Sequence, residues 1–232
     1  MTLAFPDPDL SGSVDDIGTS GVSQLNVRSF VSFWSRLTAD AAQASISFSL
    51  SESGNVRTLS TTGAAAGVEV SGLLYTPVPS STLCSQWPLY VPKNATQVVL
   101  PRAIFGFIAL APWISQNCTL AYLAAVQQDP VRAFVFYLPG NSSDTPPLAN
   151  DPAWALGDGG KWKSSNKFPV YAIPSDSGNQ IMSQLTLYTG NLTSVPNGHE
   201  LANSFPASDY VRLALRVDMC TSTRPLRLVA SH

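Results

Sequence analysis

The sequence predicts an α/β (α+β) domain, a β-rich sheet or open barrel built around one βαβ unit and carrying two or more helices. Three observations predict it. Of 232 residues 46 are Ser or Thr, yet between Pro101 and Gly140 only Ser115 and Thr119 occur, so this stretch belongs inside. Two runs within it, Ile104 to Trp113 and Val131 to Pro139, are apolar at successive positions, which marks strands covered on both faces. Between Asp209 and Asp218, Val211, Leu213, Leu215 and Val217 alternate with Arg212 and Arg216, a terminal strand with one wet face.

The central unit reads as follows. Pro112 ends the first strand, and Ser115, Gln116 and Asn117 form a polar turn. Thr119 is the expected N-cap of a helix through Gln128, with Leu120, Leu123, Ala124 and Gln127 on one face. Asp129-Pro130 stops it before the second strand. Two doubly covered strands joined by a helix predict a right-handed unit with parallel strands; the competing arrangement is two antiparallel strands with a surface helix.

Residues 1–20, rich in Pro, Asp, Ser and Gly, read as a flexible arm. A single domain is expected over residues 21–218, followed by a patternless tail at 219–232. Apolar residues return from Val22 to Leu37, and Ala44 to Leu50 alternates as a half-buried strand. Asn55 to Leu59 is expected to pair with it as a hairpin across Glu52-Ser53-Gly54. Gly67 to Tyr75 is another strand, Thr76 to Pro92 a proline-broken loop, and Gln97 to Leu100 the lead into the central unit. After that unit come a long polar loop, Gly140 to Lys167, a short strand, Phe168 to Ile173, and a helix from Gly178 to Tyr188 closed by Gly190.

Composition narrows the function classes. A net charge of -2 and only 12% charged residues give no field for nucleic acid or an anionic membrane. No apolar run is long enough to span a bilayer, and the first residues lack the basic and apolar regions of a signal peptide. The low charge and the Ser, Thr, Gly and Pro content suit a secreted or luminal surface. Four glycosylation sequons begin at Asn94, Asn117, Asn141 and Asn191, where chance alone gives roughly two. Three cysteines, Cys84, Cys118 and Cys220, are too few for a structural zinc site. One pair and one leftover is the simplest arrangement, with a bridge from Cys84 to Cys118 pinning a loop to the turn; three reduced thiols is the alternative.

No catalytic constellation is nominated. His232 is terminal, so a Ser-His-Asp or Cys-His arrangement would have to use His199, which reads as an exposed turn residue. No nucleophile elbow, P-loop or dinucleotide fingerprint is present, and no histidines stand at metal-ligand spacing. Neither a metal nor a cofactor is expected.

The order of elements resembles the protease-associated domain over about residues 65 to 218. The matching pieces are a strand at Ile108-Ala109-Leu110, a turn ending in Cys118, a helix, a strand from Ala133 to Tyr137, then Phe168 to Ile173 and the helix from Gly178. The runs APWISQNCTLAYLAAVQQDPVRAFVFYLP and WALGDGGKWKSSNKFPVYAIP resemble the luminal part of fungal membrane-anchored RING ubiquitin ligases. The resemblance implies a protease-associated fold and a disulfide between Cys84 and Cys118. The chain departs from the family at the turn, where Ser115-Gln116-Asn117 replace the Arg-Gly that often precedes the cysteine. Three cysteines cannot build the family's two-zinc RING, so ubiquitin transfer is not expected of this chain.

The function expected is therefore a non-catalytic recognition module for a protein or peptide ligand, placed in the Golgi, endosomal or vacuolar lumen or outside the cell. The alternatives are an accessory domain of a peptidase or sorting receptor, or a secreted hydrolase. Ligands of parallel units meet the loops beyond the carboxyl ends of the strands. That places the candidate contacts at Trp113, Ser115, Gln116, Trp154, Asp158 and Trp162, with the tryptophans serving either as an exposed surface or as anchors for their loop.

Overall fold

The computed structural model describes residues 24–28, 30–34, 42–44, 49–53, 55–63, 70–96, 106–140, 143–196, 198–201 and 210–217. The arm, the tail with Cys220 and His232, the lead at Gln97 to Leu100 and the sequon asparagine Asn141 lie outside the described residues.

Strand β1 spans Gln24–Arg28, β2 Phe30–Trp34, β3 Ala42–Ala44, β4 Ser49–Ser53, β5 Arg57–Ser60 and β6 Val70–Tyr75. Strand β7 (Phe107–Pro112), helix α1 (Gln116–Ala125) and strand β8 (Val131–Tyr137) form the central unit. Then come the single turn α2 (Trp162–Ser165), β9 (Val170–Ile173), α3 (Ser175–Leu187), β10 (Gly190–Asn191), the single turn α4 (Gly198–Leu201) and β11 (Tyr210–Val217). Among the described residues the main sheet has the order β3-β2-β11-β6-β7-β8-β9-β5, with β10 beside β11. An α/β fold results. Strands β6, β7, β8 and β9 are parallel neighbours, as the two all-apolar runs require, while β11 and β5 flank them antiparallel.

Alternation within the parallel strands sorts two cores. Phe107, Ala109, Ala111, Phe134, Phe136, Val170 and Ala172 face one layer, formed by α1 with Trp154, Leu156 and Trp162. Ile108, Leu110, Ala133, Val135, Tyr171 and Ile173 face the other, formed by Ile181, Met182 and Leu185 of α3 with Leu213, Leu215 and Val217. Burial on both faces is why these strands carry no polar alternation. Gly178 sits where α3 crosses β8, and a Cβ there would lie 2.1 Å from the Tyr137 Cβ.

Several expectations are corrected. Helix α1 is capped by Ser115, not Thr119: the extended Ser115 accepts a hydrogen bond from the Cys118 N–H at 3.2 Å. Thr119 lies inside the helix and donates its hydroxyl back to Ser115 O at 2.9 Å. The buried face is Cys118, Thr119, Ala121, Tyr122, Leu123 and Val126, while Ala124 and Gln127 are exposed. Small and apolar residues surround this helix, so periodicity could not select its face; the aromatic ring and the bridged cysteine do.

The expected hairpin is absent. Strand β4 runs through Glu52 and Ser53 and pairs antiparallel with β1, and β5 pairs with β9. The expected strand from Ala44 to Leu50 is divided between the end of β3 and the start of β4, with 45–48 outside the described residues. Leu59 enters one core and Val56 the other, so β5 gains more from the main sheet than from its chain neighbour. Helix α3 starts at Ser175 because Pro174 supplies the preceding extended residue and Asp176 places a carboxylate in the first turn. Gly190 opens β10 after the helix has ended at Leu187. No described helix is long and apolar enough to cross a membrane.

Candidate functional site

The bridge comes first. Cys84 and Cys118 form a disulfide, with their Cα atoms 4.6 Å apart, and both are buried. It ties the crossover that follows β6 to the first turn of α1, both beyond the carboxyl ends of parallel strands. Within that crossover a 3-10 turn at Trp87–Leu89 is set by Pro88, and half-buried Trp87 packs against both cores. The Tyr137 hydroxyl, at the end of β8, donates to Tyr90 O at 3.4 Å. Further along, Thr76 N donates to Ala95 O at 3.1 Å, and the Asn94 side-chain amide donates to Thr186 O at 2.8 Å.

Fastened at these points, the crossover still presents apolar side chains outward. Val78 is 50% exposed, Leu83 55%, Leu89 80% and Tyr90 40%, which places four of the six large exposed apolar residues among those described in one segment. Large apolar side chains exposed within one fastened segment point to an interaction surface more than scattered single residues do. The neighbouring chain is chemically alike. Ser71 to Pro92, Ala103 to Gln128 and Ala133 to Ser143 contain no charged residue, so the parts of the loops that leave β6, β7 and β8 form a rim of low charge, bounded by exposed Lys93 and Asp144, with Ser115, Gln116 and Asn117 exposed on it.

The candidate contacts taken from the sequence divide. Ser115 and Gln116 are exposed on the rim, and Trp113 is half-buried beside it. Trp154 is fully buried and Trp162 is 4% exposed, which corrects the exposed reading in favour of anchors. Trp154 stacks on Trp113 with ring centroids 4.1 Å apart and donates its indole N–H to Pro147 O at 3.3 Å. Trp162 donates to Trp154 O at 2.7 Å. Asp158 is a turn-former: its carboxylate accepts from Gly160 N at 2.8 Å and Trp162 N at 2.9 Å. That turn needs left-handed backbone at Leu156, Gly157, Gly159 and Gly160, and the glycines supply three of the four. The expected long loop is thus a packed excursion with a 3-10 turn at Pro152–Ala155 and α2.

At the β5 edge of the sheet a shallow cleft of about 340 Å³ lies between β5 and α2, lined by Thr58 to Thr62, Lys163 and Ser164. Ser60 and Thr62 donate their hydroxyls to Lys163 O at 2.5 and 3.1 Å, and Arg57 donates to Pro146 O at 3.3 Å. These contacts cover an edge strand that would otherwise offer itself for pairing. The Lys163 ammonium donates to Ala149 O at 2.6 Å, and burial lowers its pKa. Of the rim, the sequence names Trp113, Ser115 and Gln116 but not the apolar crossover after β6, and of the cleft it names nothing. The signal for the rim was present as a long uncharged stretch around Cys84; the cleft, joined across a hundred residues, left none.

His199 is exposed on α4. Asn94, Asn117 and Asn191 are all exposed. No protein-family model matches this chain, and no curated protein matches it.

Proposed function

We propose that this domain is a non-catalytic recognition module of the protease-associated kind, which takes protein or peptide ligands in an oxidising lumen on the rim beyond β6, β7 and β8. The observation that carries the reading is the disulfide-pinned crossover, whose Val78, Leu83, Leu89 and Tyr90 stand in solvent on an uncharged surface. Each such side chain is already partly covered, so a partner that buries the rest gains less than the roughly 1.5–3 kcal/mol of a full burial. Fastening by the bridge, by Tyr137 and by Trp87 holds the segment ready, which lowers the ordering cost of binding.

The ligand chemistry follows from the same surface. A rim of low charge without the family's Arg-Gly offers a carboxylate only Lys93 at its edge, so the favoured ligand is an uncharged apolar segment. The bridge itself suits an oxidising compartment. In the finer reading the chain is the luminal capture part of a membrane-anchored RING ubiquitin ligase, a reading supported by the two sequence runs that resemble that family.

An immobilised peptide array tests this. Retention should favour uncharged apolar peptides and should fall to background in Leu89→Asp, whose melting temperature should match that of the parent because Leu89 is 80% exposed. Preferential retention of acidic peptides, or equal retention by the variant, contradicts the reading.

A further inference from the structure

We propose that Asn117 accepts an N-linked glycan only before α1 winds and the Cys84–Cys118 bridge closes, so that bridge oxidation and glycosylation compete for one turn. Asn191, by contrast, stays open to modification in the folded protein. The inference rests on the luminal placement proposed above.

The chemistry sets the requirement. The Asn Nδ2 attacks C1 of a lipid-diphosphate-linked oligosaccharide: an N–C1 bond forms, the C1–O bond to phosphate breaks, the lipid diphosphate leaves, and Nδ2 gives one proton to a base on the transferase. The enzyme must also engage the hydroxyl two residues on, so the sequon has to be presented as a unit. Asn117 is exposed, but its sequon is not presented. Its middle residue, Cys118, is 3% exposed and bridged, and Thr119 is fully buried. The Thr119 hydroxyl and backbone N–H both donate to Ser115 O at 2.9 Å. All three sequon residues are wound into α1.

The other described sequons differ. Asn191 and Thr193 are both exposed, on either side of buried Leu192. Asn94 is exposed but engaged: its side-chain amide donates to Thr186 O, and the half-buried Thr96 donates its hydroxyl to Lys93 O at 2.7 Å. Chain order sharpens the competition at Asn117. Cys84 lies 34 residues ahead of Cys118, so it has already entered the lumen when the sequon arrives, and oxidation can follow at once. A glycan on Asn117 would stand one residue from the bridge that holds Leu83, on the rim itself.

The test measures glycan occupancy at each asparagine by peptide mass spectrometry, on the full chain passed through a secretory pathway. Cys84→Ser should raise occupancy at Asn117 several-fold while leaving Asn191 unchanged. A pulse of membrane-permeant thiol during synthesis of the unaltered chain should do the same. Ile181→Ala, which opens a cavity in the second core and keeps both cysteines, should leave Asn117 at its parental level. Equal occupancy with and without Cys84, or an equal rise in Ile181→Ala, overturns the inference. Modification at Asn191 with no response at Asn117 overturns it alone, whereas the absence of glycan at every sequon overturns the luminal placement beneath it.

Discussion

Trp154 separates residue type from residue role. A tryptophan in a polar, proline-rich stretch suggests a binding surface, but this one is fully buried, stacked on Trp113 and hydrogen-bonded to Pro147 O. Sequence could identify the residue as important but not its direction, because direction depends on which strand end the loop returns to. Trp154→Ala should therefore destabilise the domain by roughly 3–5 kcal/mol in a urea titration, the cost of a large core truncation. A loss of ligand capture with an unchanged transition midpoint would place the ring on the surface. Tyr122 makes the opposite case. Its ring is fully buried on α1, and its hydroxyl has no hydrogen-bond partner in the structure. Tyr122→Phe should leave stability unchanged or raise it by about 1–3 kcal/mol, since it removes a polar group that burial leaves unsatisfied. A destabilised variant would show that the hydroxyl is satisfied.

Among the elements, those whose evidence is local were legible. Strands β7 and β8, the helix between them and the terminal strand β11 follow from runs of one residue class, and the structure pairs β7 with β8 in parallel as expected. Pairings chosen by distant partners were not legible. Arg57 to Ser60 has a turn-like neighbour at Glu52-Ser53-Gly54, yet it crosses the whole sheet to join β9. The N-cap shows the same limit at small scale. Ser115 and Thr119 are both capping residues by type, and the structure gives the cap to Ser115 because Thr119 already lies inside the helix, where its hydroxyl bonds back to Ser115 O. The bridge is the element-scale device that matters most for the rim. Replacing both cysteines by alanine should cost roughly 3–4 kcal/mol for a closed loop of this length. Amide exchange should quicken in the crossover between Thr82 and Val91 and remain slow in β8. Uniform quickening would mean that the bridge supports the whole sheet rather than the rim.

At the scale of the molecule, two packed cores hold four buried tyrosines whose ionisation the fold opposes. Burial raises the pKa of Tyr75, Tyr122, Tyr137 and Tyr171 above the ordinary 10.0, and the Asp129 carboxylate that accepts the Tyr75 hydroxyl adds to the rise at Tyr75. Above pH 10 the unfolded chain gives up these protons while the folded chain keeps them. Stability should thus be fully present below that pH and decline as pH climbs toward the raised values. A urea midpoint that is flat from neutral pH to about pH 11 would contradict it. The proposed function also belongs to this scale, because the rim exists only where three crossovers meet at one end of the parallel strands. Its central claim is that an uncharged apolar surface does the binding. The most direct measurement is the affinity of a retained apolar peptide for the parent and for Leu89→Asp, each at low and at high salt. The account predicts an affinity that does not weaken between about 0.05 and 0.5 M salt and is lost in the variant, since salt does not screen apolar contact. Affinity that falls with salt, or that survives Leu89→Asp, would contradict it.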